Sequence, residues 1–133
     1  TATKASSCLT SISNTSFKLF IYIIIIGGRM KLLYNNKDID LYECKSFFSR
    51  LKGFMFTRNI DKALLFDRCN SIHTFFMKEN IDVIMCDNDN NILYFYRDLP
   101  KNKIILPKKG VRKVFETPSG YFDIKINERM IIK

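Results

Sequence analysis

Apolar and polar residues alternate along several short stretches of this chain, a pattern typical of strands with one buried and one exposed face. The clearest example is residues 122–127, where Phe, Ile and Ile alternate with Asp, Lys and Asn. Residues 81–86 and 92–96 are apolar on both faces, apart from Asp82, and flank the polar stretch 87–91, which predicts a hairpin at the centre of a sheet. Further short strands are predicted at 30–33, 39–42, 63–66, 114–116 and 131–132.

One stretch has the periodicity of a helix instead. Ser46 stands at the N-cap position, and five apolar residues follow at i, i+1, i+4, i+7 and i+8: Phe47, Phe48, Leu51, Phe54 and Met55. We therefore predict one main amphipathic helix, over about 46–56, whose aromatic stripe packs on the sheet. Many short strands with one helix indicate a β-rich α+β fold, built on a small barrel-like or sandwich mixed sheet.

The first 29 residues do not fit this pattern. Residues 17–26 form an apolar run of ten, whereas a membrane-spanning helix needs roughly 20. The next four residues, 27–30, back-translate into a purine-rich ribosome-binding site followed by a start codon at Met30. We therefore expect residues 30–133 to form a single globular domain without a membrane span, and residues 1–29 to be an over-extended reading frame. If residues 1–29 are translated, they are a signal or anchor, and the domain is membrane-tethered or exported.

Composition supports a folded chain. Hydrophobic residues make up 47% of the sequence, and the 12 Phe and 6 Tyr can bury a large apolar area, which argues against intrinsic disorder. The four cysteines, Cys8, Cys44, Cys69 and Cys86, contain no Cys-x-x-Cys pair and match no secreted disulfide framework. We expect reduced thiols and a cytoplasmic location.

The formal net charge of +9 raises the possibility of a nucleic-acid partner. Three of the 22 basic residues precede Met30 and none of the 13 acidic residues does, so the predicted domain carries only +6. Seven basic residues against one acid make residues 97–113 lopsided, and a basic patch is expected at Lys108, Lys109, Arg112 and Lys113. A solvated basic loop explains the same residues, since no aromatic side chain adjoins them in sequence to stack on a base.

Three motifs occur in order along the chain: Gly53-Phe54-Met55 with Arg58, Phe76-Met77-Lys78 with Ile81-Asp82-Val83, and Glu116-x-Pro118-x-Gly120. They resemble the Gly-Leu-Met-x-x-Arg, Phe-Trp-Met-Lys with Leu-Asp-Ile, and Leu-Glu-x-Pro-Ala-Gly motifs of domain of unknown function 192, a family of bacterial and archaeal proteins. The stretch 69–74 is similar to the form found in Gram-positive members.

The resemblance covers about four-fifths of the chain and departs from the family in two places. Glu79-Asn80 stands where many members have Asn-Thr, and Asn127-Glu128 where they have Gly-Asp. Asn tolerates the left-handed backbone that Gly allows, so the turn at Asn127 can survive. The resemblance implies a compact β-rich fold, and it implies no established reaction, substrate or cofactor.

Five residues in or beside the motif segments could line a small polar pocket: Arg58, His73, Thr74, Met77 and Asp82. In this interpretation Asp82 orients Arg58 or His73, the only histidine of the sequence. The structural alternative is a partly buried ion pair between Asp82 and Arg58 that fixes the helix end against the sheet. Phe75, Phe76 and Met77 could likewise form a ligand-gripping lip or belong to the core.

Metal and nucleophile chemistry have weaker support. Cys69-x-x-x-His73 has the spacing of metal ligands on a helical turn, but a zinc site would also need Cys44 and Cys86 from separate strands. Cys69 as a nucleophile with His73 as its base lacks oxyanion-hole glycines. The acidic stretch 87–98 imitates a calcium loop but has Ile92 where that loop needs Gly, so we interpret 87–91 as a hairpin turn. We expect neither a metal nor a cofactor.

Three functions remain open. The first is a non-enzymatic binding or accessory module that recognises a small anionic ligand or a peptide near Arg58, His73 and Asp82. The second is an enzyme that uses His73 as an acid or base. The third is a nucleic-acid binder that uses residues 97–113.

Overall fold

The computed structural model describes residues 30–133. The predictions for residues 1–29 therefore lie outside the described residues. The described residues contain one helix and nine strands in this order: β1 (Met30–Tyr34), β2 (Lys37–Glu43), α1 (Phe47–Lys52), β3 (Ala63–Asp67), β4 (Ile72–His73), β5 (Ile81–Cys86), β6 (Ile92–Leu99), β7 (Ile104–Ile105), β8 (Lys113–Pro118) and β9 (Ile131–Ile132).

Seven of these strands form one curled half-barrel sheet in the order β6-β5-β8-β3-β2-β1-β9, and β4 pairs with β7 in a second, two-stranded sheet. The pairing of β2 with β3 is parallel and the other pairings are antiparallel. The sheet is therefore mixed, and the predicted β-rich α+β class is confirmed. The predicted 81–96 hairpin is also present, but only β5 is central, because β6 lies at the edge of the seven-stranded sheet.

The sheet separates two hydrophobic cores, one on each face. Strand β8 contributes to both, because successive side chains of a strand point to opposite faces. Phe115 packs in the first core and Val114 in the second. Glu116 follows the same alternation and faces the second core, where it lies opposite Leu64 on β3 and Val83 on β5. A carboxyl group thus occupies a central position of an apolar face.

The strand predicted at 122–127 is wrong, since this segment has no strand pairing. Phe122 is buried in the first core, and the backbone N–H of Asn127 donates to the carbonyl of Ile92, so the alternation reflects a loop that covers the core. The left-handed turn at Asn127 is confirmed by its φ of 71°. The short strand predicted at 131–132 is present and pairs with β1 at the edge of the sheet.

The helix is shorter than the predicted 46–56. Ser46 caps it as expected, accepting a hydrogen bond from the backbone N–H of Ser49 at 3.1 Å, but the helix ends before Gly53, whose φ is 47°. None of its residues is buried, and Phe47 and Phe48 are 74% and 78% exposed. The prediction that the stripe packs on the sheet is therefore wrong for the helical residues. Within residues 30–133, no helix has the length and apolar character needed to cross a membrane.

Candidate functional site

A cavity of about 280 Å³ lies beside the end of α1 and extends over the second core. Its apolar walls come from Phe47 and Leu51 on α1, Phe66 on β3, Ile72 on β4, and Met77. Its polar lining consists of Arg50, Lys52, Cys69, Ser71, His73 and Glu116. We call this space the Glu116 cavity.

Glu116 is the most unusual of these lining residues. Its side chain is 2% exposed, and its Oε2 atom has no hydrogen-bond partner among residues 30–133. Burial raises the pKa of the carboxyl from 4.5 to about 8, and a backbone hydrogen bond from Phe54 opposes that rise only in part. The carboxyl therefore holds its proton at neutral pH. Acids with pKa values raised in this way cluster at functional sites.

The end of the helix leaves room for this carboxyl. A Cβ atom at Gly53 would lie 3.0 Å from Oε2 of Glu116 and 3.3 Å from Cζ of Phe66. Only glycine combines the positive φ with the missing side chain, so the backbone can turn directly beside the acid. That turn ends α1 and delivers Phe54, 1% exposed, into the second core.

Two cationic side chains lie at the helical side of the cavity. The Nη1 and Nη2 atoms of Arg50 donate hydrogen bonds to the carbonyls of Asp67 and Arg68 at 2.7 and 3.4 Å, which fixes the guanidinium. A guanidinium has five N–H groups, so three of them are not used by these two bonds. Lys52 is exposed. Within residues 30–133, neither Arg50 nor Lys52 is paired with a carboxylate.

His73 lines the same cavity from β4. Its Nδ1 atom accepts a hydrogen bond from the backbone N–H of Phe75 at 3.2 Å, and the two rings stack with centroids 5.3 Å apart. Because Nδ1 is the acceptor, the proton of a neutral imidazole resides on Nε2.

An aromatic surface extends from the cavity. It comprises exposed rings that we call the aromatic collar: Phe47, Phe48, Phe56, Phe75 and Phe76. The rings of Phe56 and Phe76 stack with centroids 5.6 Å apart, and Phe75 stacks on His73. Met77 instead is buried against the second core. The predicted triplet 75–77 is thus divided between surface and core.

The structure brings two of the five predicted pocket residues together. His73 and Met77 line the Glu116 cavity. Thr74 is buried, where its hydroxyl donates to the carbonyl of Pro100 at 2.8 Å and accepts from the N–H of Lys103 at 2.8 Å. This pairing ties the 74–77 turn to the loop after β6 and leaves the hydroxyl occupied.

Asp82 also has a structural set of partners. Its Oδ1 accepts from the backbone N–H of Asp98 at 2.7 Å, and its Oδ2 accepts from that of Gly120 at 2.9 Å. Arg58 is exposed, and no ion pair joins it to Asp82 in the described part of the chain. The ion pair considered from the sequence is therefore absent. Asp82 lies where the register between β5 and β6 is irregular, and it binds the backbone of β6 and of the turn after β8.

The four residues of the predicted basic patch have different surroundings. The Nζ atom of Lys113 donates to Oδ1 of Asn90 at 3.0 Å, and Nζ of Lys108 lies 5.7 Å from the ring centroid of Tyr94. No aromatic residue adjoins Lys108 in sequence, but the fold brings the Tyr94 ring of β6 beside it. Lys109 and Arg112 are exposed.

The cysteine chemistry considered above finds no arrangement that supports it. Residues 69–73 do not form a helical turn, and the described residues contain no group of three or more metal-ligating side chains. Burial raises the pKa of Cys44 to about 11 and that of Cys86 to about 12, so both thiols stay protonated. The thiol of Cys69 points to the carbonyl of Ser71, 3.1 Å away.

Glu116 belongs to one of the sequence motifs but is not among the pocket residues predicted from the sequence. The sequence does contain a signal for Glu116, because an acid that directly follows the apolar residues Val114 and Phe115 is unusual in a buried strand. The glycine inside the helical pattern was a second signal, because it marks a close approach of the backbone.

The fold and the site define a small β-rich α+β domain with a cavity on one face of a curled sheet. The chain belongs to domain of unknown function 192, described as "Uncharacterized ACR", whose family model matches residues 30–132. This confirms the resemblance inferred from the motifs.

Archaeal proteins named UPF0127 are similar to this chain. The protein of Thermococcus sibiricus is 39% identical over 84 residues, and that of Thermococcus kodakarensis 36% identical over 81 residues. These matches cover 59% and 56% of this chain, and 54% and 51% of the relatives. The chain thus spans about half the length of these curated relatives. A Pyrococcus abyssi relative is 38% identical over 81 residues, with 56% of this chain and 68% of the relative covered.

Two solved structures share the fold. A candidate transcription regulator of Sinorhizobium meliloti has a TM-score of 0.66 at 18% identity, covering 77% of this chain and 91% of that one. A protein of unknown function from Novosphingobium aromaticivorans has a TM-score of 0.63 at 12% identity, covering 77% and 83%. At these identities the likeness concerns the fold alone.

Proposed function

We propose that this domain is a non-enzymatic binding module that holds a small anionic ligand with an apolar body in the Glu116 cavity. The observation that carries the proposal is the buried Oε2 atom of Glu116, which lacks a partner although its residue lines an open cavity. An unsatisfied buried polar group costs about 1–3 kcal/mol. A folded protein can tolerate this loss of stability at a functional site, where a ligand supplies the missing hydrogen-bond partner.

The charges of the lining support an anionic ligand. Arg50 and Lys52 bring two positive charges to the cavity, and the protonated Glu116 brings no negative charge at neutral pH to oppose them. Neither cation has a carboxylate partner within residues 30–133. An arginine with free N–H groups is well suited to bind a carboxylate or phosphate.

The dimensions of the cavity support a small ligand. Pockets for drug-sized molecules measure about 300–1,000 Å³, and the Glu116 cavity of about 280 Å³ is at the lower end of that scale. The apolar walls, Leu51, Ile72 and Met77 among them, suit a hydrocarbon body. A peptide would fit by inserting one side chain.

An acid–base enzyme is the alternative at the same site, because His73 and Glu116 both line the cavity and could exchange protons with a substrate. The hydrogen bond of the His73 Nδ1 atom favours binding over catalysis, since its partner is a backbone N–H of the adjoining turn and not a carboxylate that would orient the ring as a base. Conversion of a bound ligand, lost in His73→Ala with the fold intact, would establish the enzyme instead.

Nucleic-acid binding through residues 97–113 is the third possibility, and the position of the Lys108 Nζ atom over the Tyr94 ring is compatible with it. It predicts a gel shift at low salt that weakens steeply as salt rises and that Lys108→Ala with Lys109→Ala removes. The binding-module proposal predicts no shift.

We also propose that the domain works in a reducing, cytoplasmic environment. Cys44 and Cys86 are buried free thiols, and Cys69 is a third free thiol in the described chain. An odd number of cysteines in the domain fits reduced thiols better than a disulfide framework.

A thermal-shift screen of small carboxylates and phosphate esters tests the proposal. Leu51, 50% exposed in the cavity wall, is replaced by Asn, and Ile126, 46% exposed and remote from the cavity lining, is replaced likewise as the control. A stabilising ligand should lose its effect in Leu51→Asn and keep it in Ile126→Asn. Equal loss in both variants, or none in either, would place binding elsewhere and contradict the proposal.

A further inference from the structure

We infer that the ligand is a hydroxyl-bearing apolar acid, with its anionic group beside Arg50 and Lys52 and its hydroxyl inserted against Glu116. This inference rests on the proposed function and adds the chemical class and orientation of the ligand. It follows from the way the two kinds of polar group are separated within one cavity.

The inner end of the cavity requires a hydrogen-bonding group. Glu116 is on the central strand β8 with apolar neighbours Leu64, Phe66 and Val114 on the same face. The nearby thiol of Cys69 is directed to the carbonyl of Ser71, and the hydroxyl of Thr74 is occupied by Pro100 and Lys103. These groups are therefore not available as hydrogen-bond partners of the Glu116 carboxyl. None of them competes with a ligand for that carboxyl.

A hydroxyl suits this position better than other polar groups. It both donates and accepts, so it satisfies a carboxyl whether that carboxyl holds its proton or not. A simple cation would be repelled by Arg50 and Lys52 on entering, whereas a hydroxyl brings no charge into the apolar face.

The outer end of the cavity presents the opposite requirement. The bonds from Arg50 to two backbone carbonyls hold its guanidinium in one orientation, so little side-chain freedom is left to be lost when an anion binds. Lys52, the last residue of α1, is exposed and adds a second positive charge to the lining. The walls between the two ends are Leu51, Phe66, Ile72 and Met77, which accommodate an apolar linker.

Three matched probes test the inference: 3-(4-hydroxyphenyl)propanoate, 3-phenylpropanoate, which lacks the hydroxyl, and 3-(4-hydroxyphenyl)propanamide, which lacks the charge. The corresponding acetates, one methylene shorter, are added so that length is not decisive. Each is titrated into the full chain up to about 10 mM, above the ~1 mM dissociation constant of a weak complex, while backbone amide shifts are recorded by NMR. Binding in the cavity is read from the amides of Gly53, Phe54 and His73.

We expect the hydroxylated acid to bind best, with the loss of either group weakening binding at least about five-fold, the worth of one ordinary hydrogen bond. In Glu116→Met the hydroxylated and unhydroxylated acids should bind alike. Glu116→Gln keeps an acceptor and a donor at the same place and should preserve the preference.

Equal binding of the two acids to the natural sequence would overturn the inference and leave the proposed function standing. A preference that survives in Glu116→Met would also overturn it, since the hydroxyl would then bind elsewhere. If no probe shifts the cavity amides, both the inference and the proposed function are contradicted.

Discussion

Gly53 and Glu116, 63 positions apart in the sequence, are in direct contact where α1 ends: a Cβ on Gly53 would lie 3.0 Å from Oε2 of the acid. The contact joins the first and the third of the sequence motifs. The turn at Gly53 ends α1, and Gly53 also lines the cavity. One backbone position therefore couples the length of the helix to the space beside the Glu116 carboxyl.

Replacing Gly53 by Ala tests this coupling. We expect it to destabilise the fold by about 2–3 kcal/mol, because a side chain at φ 47° is strained and its Cβ would crowd the carboxyl. Gly120→Ala is the matched control, since φ is 76° but nothing lies within 4 Å of the added Cβ, and it should cost about 1 kcal/mol. Urea denaturation measures both. Equal losses would show that contact with Glu116 contributes nothing.

Removing the buried acid should stabilise the protein. Glu116→Met fills a similar volume with apolar atoms and eliminates an unsatisfied polar group, so the free energy of unfolding at pH 7 should rise by about 1–3 kcal/mol. Chemical denaturation gives the value. A loss of stability would mean that the backbone hydrogen bond from Phe54 to the carboxyl outweighs the unsatisfied Oε2 atom, and would contradict a carboxyl kept for a ligand.

The raised pKa of Glu116 predicts a pH dependence of stability. Below 4.5 the carboxyl is protonated in both the folded and the unfolded state, so it contributes no penalty. Between 4.5 and about 8 the unfolded state ionises while the folded state keeps its proton. The free energy of unfolding should then fall with rising pH, by up to ~1.4 kcal/mol per pH unit from this group, and level off above its folded pKa.

Glu116→Gln isolates that contribution because every other group is shared. The stability difference between Glu116→Gln and the natural sequence should widen in favour of the variant from pH 5 to pH 8. The pKa of Asp87 is lowered by its hydrogen bonds to Asn91, so that carboxylate loses its stabilising effect only in more acidic solution. A stability difference between Glu116→Gln and the natural sequence that stays constant from pH 5 to pH 8 would contradict the raised pKa of Glu116.

Asp82 should act as a structural residue. Asp82→Ala removes the acceptor of two backbone N–H groups, those of Asp98 and Gly120, and should cost about 2–4 kcal/mol. Asp82→Asn keeps one acceptor oxygen and should cost less. Arg58→Ala changes an exposed side chain and should stay within about 0.5 kcal/mol. A large loss in Arg58→Ala would indicate that the ion pair forms in solution.

The strands were largely predictable, because a buried strand such as Ile81–Cys86 is recorded directly in its apolar run. The segment 122–127 has the same alternation but covers the core as a loop, and local pattern cannot distinguish these two cases. The helix predicted over about 46–56 is too long for a different reason. The pattern does not reveal that Gly53 is in a left-handed turn, where the helix stops.

The candidate site was predictable only in part. His73 and Met77 line the cavity, and whether they bind a ligand stays a prediction. Asp82 was expected to orient Arg58 or His73, but its partners are backbone N–H groups, which have no sequence signal. Glu116 required the structure, because its importance depends on the absence of a partner across strands that are far apart in sequence.

The most direct test of the central claim is the titration of the glutamate side chains by ¹³C NMR. The sequence has four glutamates, so Glu116 can be assigned by comparison with Glu116→Gln. We predict that one carboxyl titrates near pH 8, that its signal is missing in the variant, and that a bound hydroxylated acid changes its midpoint. A Glu116 carboxyl that titrates near 4.5 would show that the acid is solvated and would contradict the account.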